Sequence, residues 1–519
     1  MRPAAKIQAG LEEAIDGRIG RYKRVLLAAV WLVIALGIYR CGVTVDFREG
    51  EKKEEREETR DAASGSAAAE ELQGSPAEQE EPAFDTDIRV LIKTDGFQDI
   101  YHGELCFVGT EGLAVEQGES VTVYPAGQEY RLDGESLQTG EQVVVRPCGQ
   151  GKIRCPSVVR SADCAYRGRM ECYGTEAGLV LVNELPVEAY LYGVLPSEMP
   201  SSYPLEAQKA QAIGARTYAY FHKKSYAYPA WRAHVDDSTA FQVYMNIGET
   251  DTACQAVDET RGLVITYEGE LIQSFYYSTS SGCNGGAAVW GQGNDADGFL
   301  TETGEAVFAE NSAAGEERYR AYIDEGNPQD IEYLEPWYRW EYVKDLGEEG
   351  TQALLETLYQ MYLEQPEKVR IRSALLRAEQ LTQEQGIRDI RVLHREKSGL
   401  VTSLMIETEH FRVNVRTQHS IRRALARAGD TVIKKDGSAY QMGDILPSDY
   451  FYMEKIYDNN AGNGDTLEQV IIRGGGLGHG AGMSQNGAKC LAAQGLTASE
   501  ILAYYYKGSI APVEEVFSG

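Results

Sequence analysis

The stretch GVLPSEMP, residues 193–200, holds one acidic side chain, Glu198, among Val194, Leu195 and Met199, with Pro196 and Pro200 on either side. Proline fixes its own φ and restricts the residue before it, so this carboxylate rides on a stiffened backbone. Apolar surroundings raise a carboxyl pKa and keep the proton on near neutral pH, which is the state a general acid needs. The same residues also allow a structural reading, in which Glu198 caps a helix or pairs with Lys209 or Arg216.

Other groups suited to chemistry lie downstream. In SFYYSTSSG, the hydroxyls of Tyr276, Tyr277, Ser278, Thr279 and Ser280 end a strand and can line a cleft and bind substrate there, or simply close the strand. In GLGHGAGMSQNG, His479 lies between glycines that permit close backbone approach, and Ser484 and Gln485 follow it. These residues suit substrate contact and loop fixation equally. Gln208, Gln211 and Arg216 follow one another along an alanine-rich helix, facing either a cleft or the sheet beneath. Trp290, Trp337 and Trp340 can stack on pyranose faces, although buried tryptophan more often fills a core. GLGHGA also fits G-x-G-x-x-A, but it lies near the C-terminus with no βαβ unit after it, which argues against dinucleotide binding.

These groups need elements to position them. IRVLIK, ELCFVG, VTVYP, QVVVRPC and GLVLVN, between residues 88 and 182, read as short strands. Pro186 opens a short helix through Tyr192, and Pro204 opens a longer one to about Lys224, with Ser202 or Tyr203 near its cap. Glu198 is expected in the turn between them. Ala207, Ala210, Ala212, Ala215 and Ala219 let the second helix approach its neighbours closely. Strands return in LVITYEGELIQSFYYSTSSG, residues 284–330 read as loop, and 350–385 as helix. DIRVLHRE, VTSLMIETE and HFRVNV read as strands. The C-terminal part predicts a strand, a Gly-rich loop, a helix to Gln494 stopped by Gly495, and a last helix capped by Thr497 and Glu500 and followed by Gly508. The class is α+β, a β-rich domain with helices around a central cleft, without internal repeats.

The chain has 519 residues, 43% of them hydrophobic, enough for a substantial core. A net charge of -29 argues against nucleic-acid binding, which needs basic surface. Residues 1–24 form a basic segment and 25–45 an apolar stretch read as one transmembrane anchor, with the N-terminus in the cytoplasm and the rest outside. Residues 46–85 are a charged linker without large apolar groups, and 86–515 form the ordered domain. Nine cysteines occur; Cys148, Cys155, Cys164 and Cys172 are close enough to pair locally or to remain thiols.

The strings NELPVEAYLYGVLPSEMPSSYPLEAQKAQAIGARTYAY, SFYYSTSSG, PWYRW, HSIRRAL and GLGHGAGMSQNGAKCLAAQG, in this order, resemble the stage II sporulation protein D family, whose relatives include amidase-enhancer proteins. The resemblance runs over nearly all of residues 88–510. It implies a membrane-anchored lytic transglycosylase that cuts the bond between N-acetylmuramic acid and N-acetylglucosamine in peptidoglycan and leaves 1,6-anhydro ends, during engulfment in endospore formation. The family's catalytic glutamate, in its E-M-P motif, carries over onto Glu198. Implied partners are glycan strands stripped of stem peptides, the amidase called stage II sporulation protein P, and membrane protein M; no cofactor is implied. The implied location is the forespore-facing side of the mother-cell membrane. Another reading is a noncatalytic scaffold that recruits or activates an amidase. Some relatives carry a His/Cys zinc site after the alanine helix; here RAHVDDSTAFQVY keeps His234 but offers Asp236, Asp237 and Phe241 and no cysteine, so no metal is expected.

Overall fold

A computed structural model describes residues 85–160, 165–245, 247–291, 298–302, 313–458 and 466–517. The expected anchor and all but the last residue of the linker lie outside the described residues. Among the described residues no helix is long and apolar enough to cross a membrane.

The architecture is mixed α+β. A seven-stranded sheet is built from β1 (Asp87–Ile92), β2 (Leu113–Gln117), β3 (Ser120–Tyr124), β4 (Gln142–Pro147), β5 (Arg169–Thr175), β6 (Gly178–Pro186) and β7 (Val235–Asp236), in the order β7-β1-β6-β5-β4-β2-β3. Leu179, Val180, Leu181 and Val182 of β6 are all buried, so this strand is covered on both faces, as its continuous apolar run predicts.

Helix α1 (Val187–Glu198) leaves β6 directly, and α2 (Leu205–His222) follows it. The structure extends α1 beyond the sequence-based end at Tyr192, so Glu198 is its last residue and Pro196 lies inside the helix. Proline is tolerated there because it removes a single hydrogen bond in the final turn. Two other bonds close that turn: Ser197 Oγ donates to the Gly193 carbonyl at 2.7 Å, and the Met199 N–H donates to the Leu195 carbonyl at 2.9 Å. Pro204 itself stands at the N-cap of α2, where Ser202 or Tyr203 was expected, and the buried alanines of α2 let it pack against α1, α3 (Asp251–Glu259) and β8 (Leu263–Tyr267).

The short strand β9 (Tyr276–Tyr277) carries the hydroxyl-rich segment. Residues 284–330, read as loop, contain α4 (Ala313–Glu325), which buries Gly315, Tyr319 and Ile323 at four-residue spacing. That spacing is helical; the charged residues between obscure it. The helix expected over 350–385 ends early: α5 (Glu348–Glu364) stops before Pro366, and β11 (Val369–Arg372) follows β10 (Trp340–Asp345) in the strand sequence. β12 (Asp389–Arg395), β13 (Val401–Glu407) and β14 (Arg412–Arg416) complete a four-stranded sheet in the order β11-β14-β13-β12, flanked by α6 (Gln418–Leu425). β10 joins β15 (Thr431–Lys434), β16 (Ala439–Gln441), β17 (Phe451–Asp458) and β18 (Thr466–Gly474) in a five-stranded sheet. These two sheets with α5 and α6 share one apolar core.

The C-terminal part returns to α2. β19 (Met483–Ser484) pairs in parallel with β9, Tyr276 opposite Met483 and Tyr277 opposite Ser484. Then come α7 (Gln485–Ala493), α8 (Ala498–Tyr505), with the expected Thr497–Glu500 capping box, and β20 (Ser509–Pro512), paired with β8. α7 and α8 both pack on α2. Cys106, Cys148, Cys172, Cys254 and Cys490 are free thiols; Cys41 and Cys164 lie outside the described residues.

Candidate active site around Glu198

Glu198 ends α1 half-buried, where α1, the loop after β7, β9 and the start of α7 meet. The last three contribute one donor each. The Val243 N–H donates to Glu198 Oε1 at 2.6 Å. The Gln485 amide donates to the Glu198 backbone carbonyl at 3.0 Å and reaches Oε2 at 3.5 Å. The Tyr276 hydroxyl also hydrogen-bonds the carboxylate. Gln242, buried behind it, donates to the Tyr276 oxygen at 3.1 Å and to the Ala215 carbonyl of α2 at 3.2 Å. With its oxygen occupied by Gln242, the phenol directs its proton at Glu198.

Removal from water dominates the electrostatics. It pushes the Glu198 carboxyl up to about 7, against the three hydrogen bonds, and no neighbouring charge enters the balance. The acid therefore holds its proton up to neutrality yet can give it up, which suits a group that must donate and then accept.

His479 backs this arrangement. Its Nε2–H donates to the Tyr276 carbonyl at 3.0 Å, and its Nδ1 accepts from the Ala481 N–H at 3.2 Å, which fixes the neutral tautomer. Burial lowers its pKa to about 4, so it stays uncharged. Trp290 lies 5.1 Å from the His479 ring and 4.7 Å from Phe275, with its indole N–H unpartnered among the described residues.

The remaining candidates divide by location. Ser278 and Thr279 face α7: the Ser278 carbonyl accepts from the Asn486 N–H at 2.9 Å, and Thr279 Oγ1 accepts from the Asn486 amide at 2.9 Å. Tyr277 is buried and bonds Asn284. Ser280 donates its N–H to Glu332 at 2.8 Å and its hydroxyl to the Cys283 carbonyl at 3.1 Å. Gln208 donates to the Ser201 and Tyr203 carbonyls at 3.0 and 3.1 Å, bracing the loop after Glu198. Gln211, one turn further along α2, is wholly buried, and neither amide atom has a partner among the described residues. Arg216 is wholly buried and grips Glu188 with two bonds of 2.8 Å, tying α2 to α1; neither it nor Lys209 bonds Glu198. Trp340 fills the second core, its indole donating to the Gly476 carbonyl, and Trp337 packs against Tyr440.

Gln242, Val243 and Glu332 were not legible as site residues. Gln242 and Val243 sit in a stretch whose sequence attracts attention only for metal ligands. In the structure, His234 Nδ1 accepts from the Arg89 N–H, Asp237 pairs with Arg160 at 2.7 Å, and Asp236 accepts from Tyr228 and Ser238. Among the described residues no three His, Cys, Asp or Glu side chains are grouped to hold a metal. Glu332 is a second buried carboxyl, pushed up to about 8 by desolvation; it accepts from the Ser280 N–H and from Ser484 Oγ, both at 2.8 Å, and so joins the segment after β9 to β19 immediately before Gln485.

Comparison with known proteins fits this geometry. Residues 175–267, which carry α1, α2 and Glu198, match the stage II sporulation protein family (SpoIID). The stage II sporulation protein D of Bacillus subtilis is 25% identical over 347 residues, covering 63% of this chain and 75% of that protein. The match assigns residues 175–267 to the SpoIID family. Two further relatives are an uncharacterized protein of Brachyspira hyodysenteriae, 40% identical over 107 residues (20% of this chain, 28% of that protein), and the amidase enhancer of Bacillus subtilis, 26% identical over 330 residues (62% and 40%). The chain thus spans less than half the length of these two. Residues 309–482 match a domain family of unknown function.

Proposed function

We propose that this protein is a lytic transglycosylase of peptidoglycan, with Glu198 as its acid and base. The supporting observation is the Glu198 carboxyl itself, raised to about 7 by burial and held by donors from three different elements. Protonated Glu198 gives its proton to the glycosidic oxygen as the bond to the muramyl C1 breaks. The resulting carboxylate takes the proton of the muramyl C6 hydroxyl as that oxygen closes on C1. The 1,6-anhydro ring forms, no water is consumed, and Glu198 ends protonated. The internal hydroxyl provides the proximity that a second carboxylate and a water supply in ordinary glycosidases. Tyr276 and the Val243 N–H stabilise the carboxylate between the two transfers. Prior stripping of stem peptides, partnership with protein P and protein M, attachment by residues 25–45 and an extracytoplasmic, forespore-facing location belong to the same proposal.

The test is mass spectrometry of peptide-free glycan strands digested with wild type and Glu198→Gln. Wild type should release 1,6-anhydro ends and the variant should not. A folded variant that still makes them at the wild-type rate defeats the proposal. The amidase-enhancer relative supports a second reading, a noncatalytic activator. That reading requires wild type to yield no anhydro ends while stimulating an amidase, with Glu198→Gln stimulating equally.

A further inference from the structure

The Gly-rich segment that carries His479 is gripped from two sides. On the β9 side, Leu477 and Thr279 exchange both backbone hydrogen bonds, at 2.8 and 3.1 Å. Gly478 lies so close to Tyr277 that a Cβ there would stand 2.8 Å from the tyrosine Cβ. His479 then donates to the Tyr276 carbonyl. The segment therefore runs beside the strand whose first residue, Tyr276, bonds Glu198. On the other side, the Gly478 N–H donates to the Pro447 carbonyl at 2.9 Å. That carbonyl also accepts from Arg422 Nη2 at 3.1 Å, and Arg422 Nε donates to the Leu446 carbonyl at 2.8 Å. Arg422 lies on α6, is only 8% exposed, and uses its remaining nitrogen to bond Gln418 at 3.0 Å. One planar guanidinium thus holds two successive carbonyls of the loop behind the Gly-rich segment. Its charge acts on Asp449, which is buried with neither carboxylate oxygen bonded among the described residues. Arg422, Pro447, Gly478 and His479 all lie within residues 309–482, the part that matches a domain family of unknown function.

We propose that Arg422 is a positioning residue for Glu198, clamping residues 477–479 against β9 so that Tyr276 keeps its hydroxyl on the carboxyl. This rests on the reading of Glu198 as acid and base. Arg422 touches neither Glu198 nor the reacting atoms; it acts through His479 and Tyr276. Its charge has a second effect. Burial first, and Arg422 next, hold His479 low, and among the described residues no other charge acts on the imidazole. The groups packed around it are uncharged: the rings of Phe275, Tyr277 and Trp290, and the Tyr276 carbonyl. Asp449 offsets little of the arginine charge, because burial pushes its carboxyl well up and keeps the proton on. The geometry requires a neutral His479. Once protonated, its Nδ1 becomes a donor facing the Ala481 N–H, and that bond is lost just before β19. Gln485, which bonds the Glu198 carbonyl, directly follows β19. The guanidinium therefore keeps two of the groups on Glu198 in place, Tyr276 ahead of the Gly-rich segment and Gln485 after it.

The test compares Arg422→Gln, which removes the charge, with Arg422→Lys, which keeps it, in the full chain in detergent. Two quantities are read: the titration of His479 by NMR of histidine-labelled protein, assigned by the signal missing from His479→Gln, and the steady-state release of 1,6-anhydro ends from peptide-free glycan. In Arg422→Gln the His479 midpoint should move up, and kcat should fall ~10- to 100-fold with KM changed less than ~2-fold. Arg422→Lys should keep the wild-type midpoint and lose less kcat than the Gln variant. If Arg422→Gln does not fold, Arg422→Gln/Asp449→Asn takes its place, with the same results expected. The proposal is overturned by a folded Gln protein whose His479 midpoint and kcat match wild type, or by Lys and Gln variants of equal melting that lose kcat equally. Failure of both Gln proteins to fold also overturns it, since Arg422 would then serve the fold alone. The NMR arm needs no glycan, so a wild type that forms no anhydro ends defeats the transglycosylase reading and leaves the His479 midpoint to decide this one.

Discussion

At Glu198 one carboxyl meets three donors and no cation, and burial outweighs the donors. The sign of the pH dependence follows. Its folded pKa, about 7, lies above the ordinary value of 4.5, so the folded state binds a proton that the unfolded state releases between those values. Wild type therefore loses stability as pH rises from about 4.5 to about 7, by up to roughly 3 kcal/mol, and Glu198→Gln escapes this loss. Thermal melts of the two proteins should diverge from pH 5 to pH 8, the variant gaining at the upper end; parallel curves would show that the carboxyl titrates normally. Glycan cleavage should fall above about pH 7 as the acid form is lost. Tyr276→Phe removes a donor to the carboxylate, so its carboxyl pKa should rise and the activity profile shift upward in pH, an effect that simple loss of packing does not produce.

At the scale of elements, the site depends on how β9 meets β19. Gly482 holds φ +76°, and a Cβ there would lie 1.9 Å from the Phe275 carbonyl oxygen, so the strands can pair only around glycine. Gly482→Ala should cost several kcal/mol or displace Gln485 from Glu198; a fully active, equally stable variant would show that the loop repacks freely. Glu332 ties the segment after β9 to β19 from outside the SpoIID match. Glu332→Ala leaves the Ser280 N–H without an acceptor, at a cost of about 1–3 kcal/mol. Glu332→Gln keeps an acceptor and should restore both the melting temperature and the cleavage rate. Equal damage by both would mean that the carboxylic acid itself takes part in the chemistry.

Across the whole molecule, the chain closes on itself. α7 and α8, from the far end of the sequence, pack on α2, and residues 309–482 form a second core between the two halves of the site. Folding of the site therefore requires nearly the full described chain. Chelation should leave melting and cleavage unchanged, and elemental analysis of the purified protein should find no stoichiometric zinc; zinc lost on His234→Ala would assign the stretch after α2 to a metal after all. If residues 25–45 anchor the protein with its domain outside, protease added to intact protoplasts should remove that domain.

Local sequence was enough for what local physics decides. Glu198 stood out because prolines and apolar neighbours surround it within eight residues. The strands of the β-rich part followed from alternation and apolar runs, the last helix from its capping box, and the start of α2 from Pro204. The extension of α1 past Pro196, the helix at Ala313–Glu325 and the strand at Val369–Arg372 went the other way, because tertiary burial outweighed breakers and charge in each. Nor does any short stretch announce Gln242, Val243 or Glu332, since their roles lie in partners 27 to 152 residues away. The same holds for the inward turn of Tyr277, Ser280 and Arg216, whose hydroxyls and guanidinium find partners inside the fold. Residue type and spacing determine which groups are available for chemistry; the packing of distant segments determines which of them meet, because burial and hydrogen bonding are set by neighbours in space.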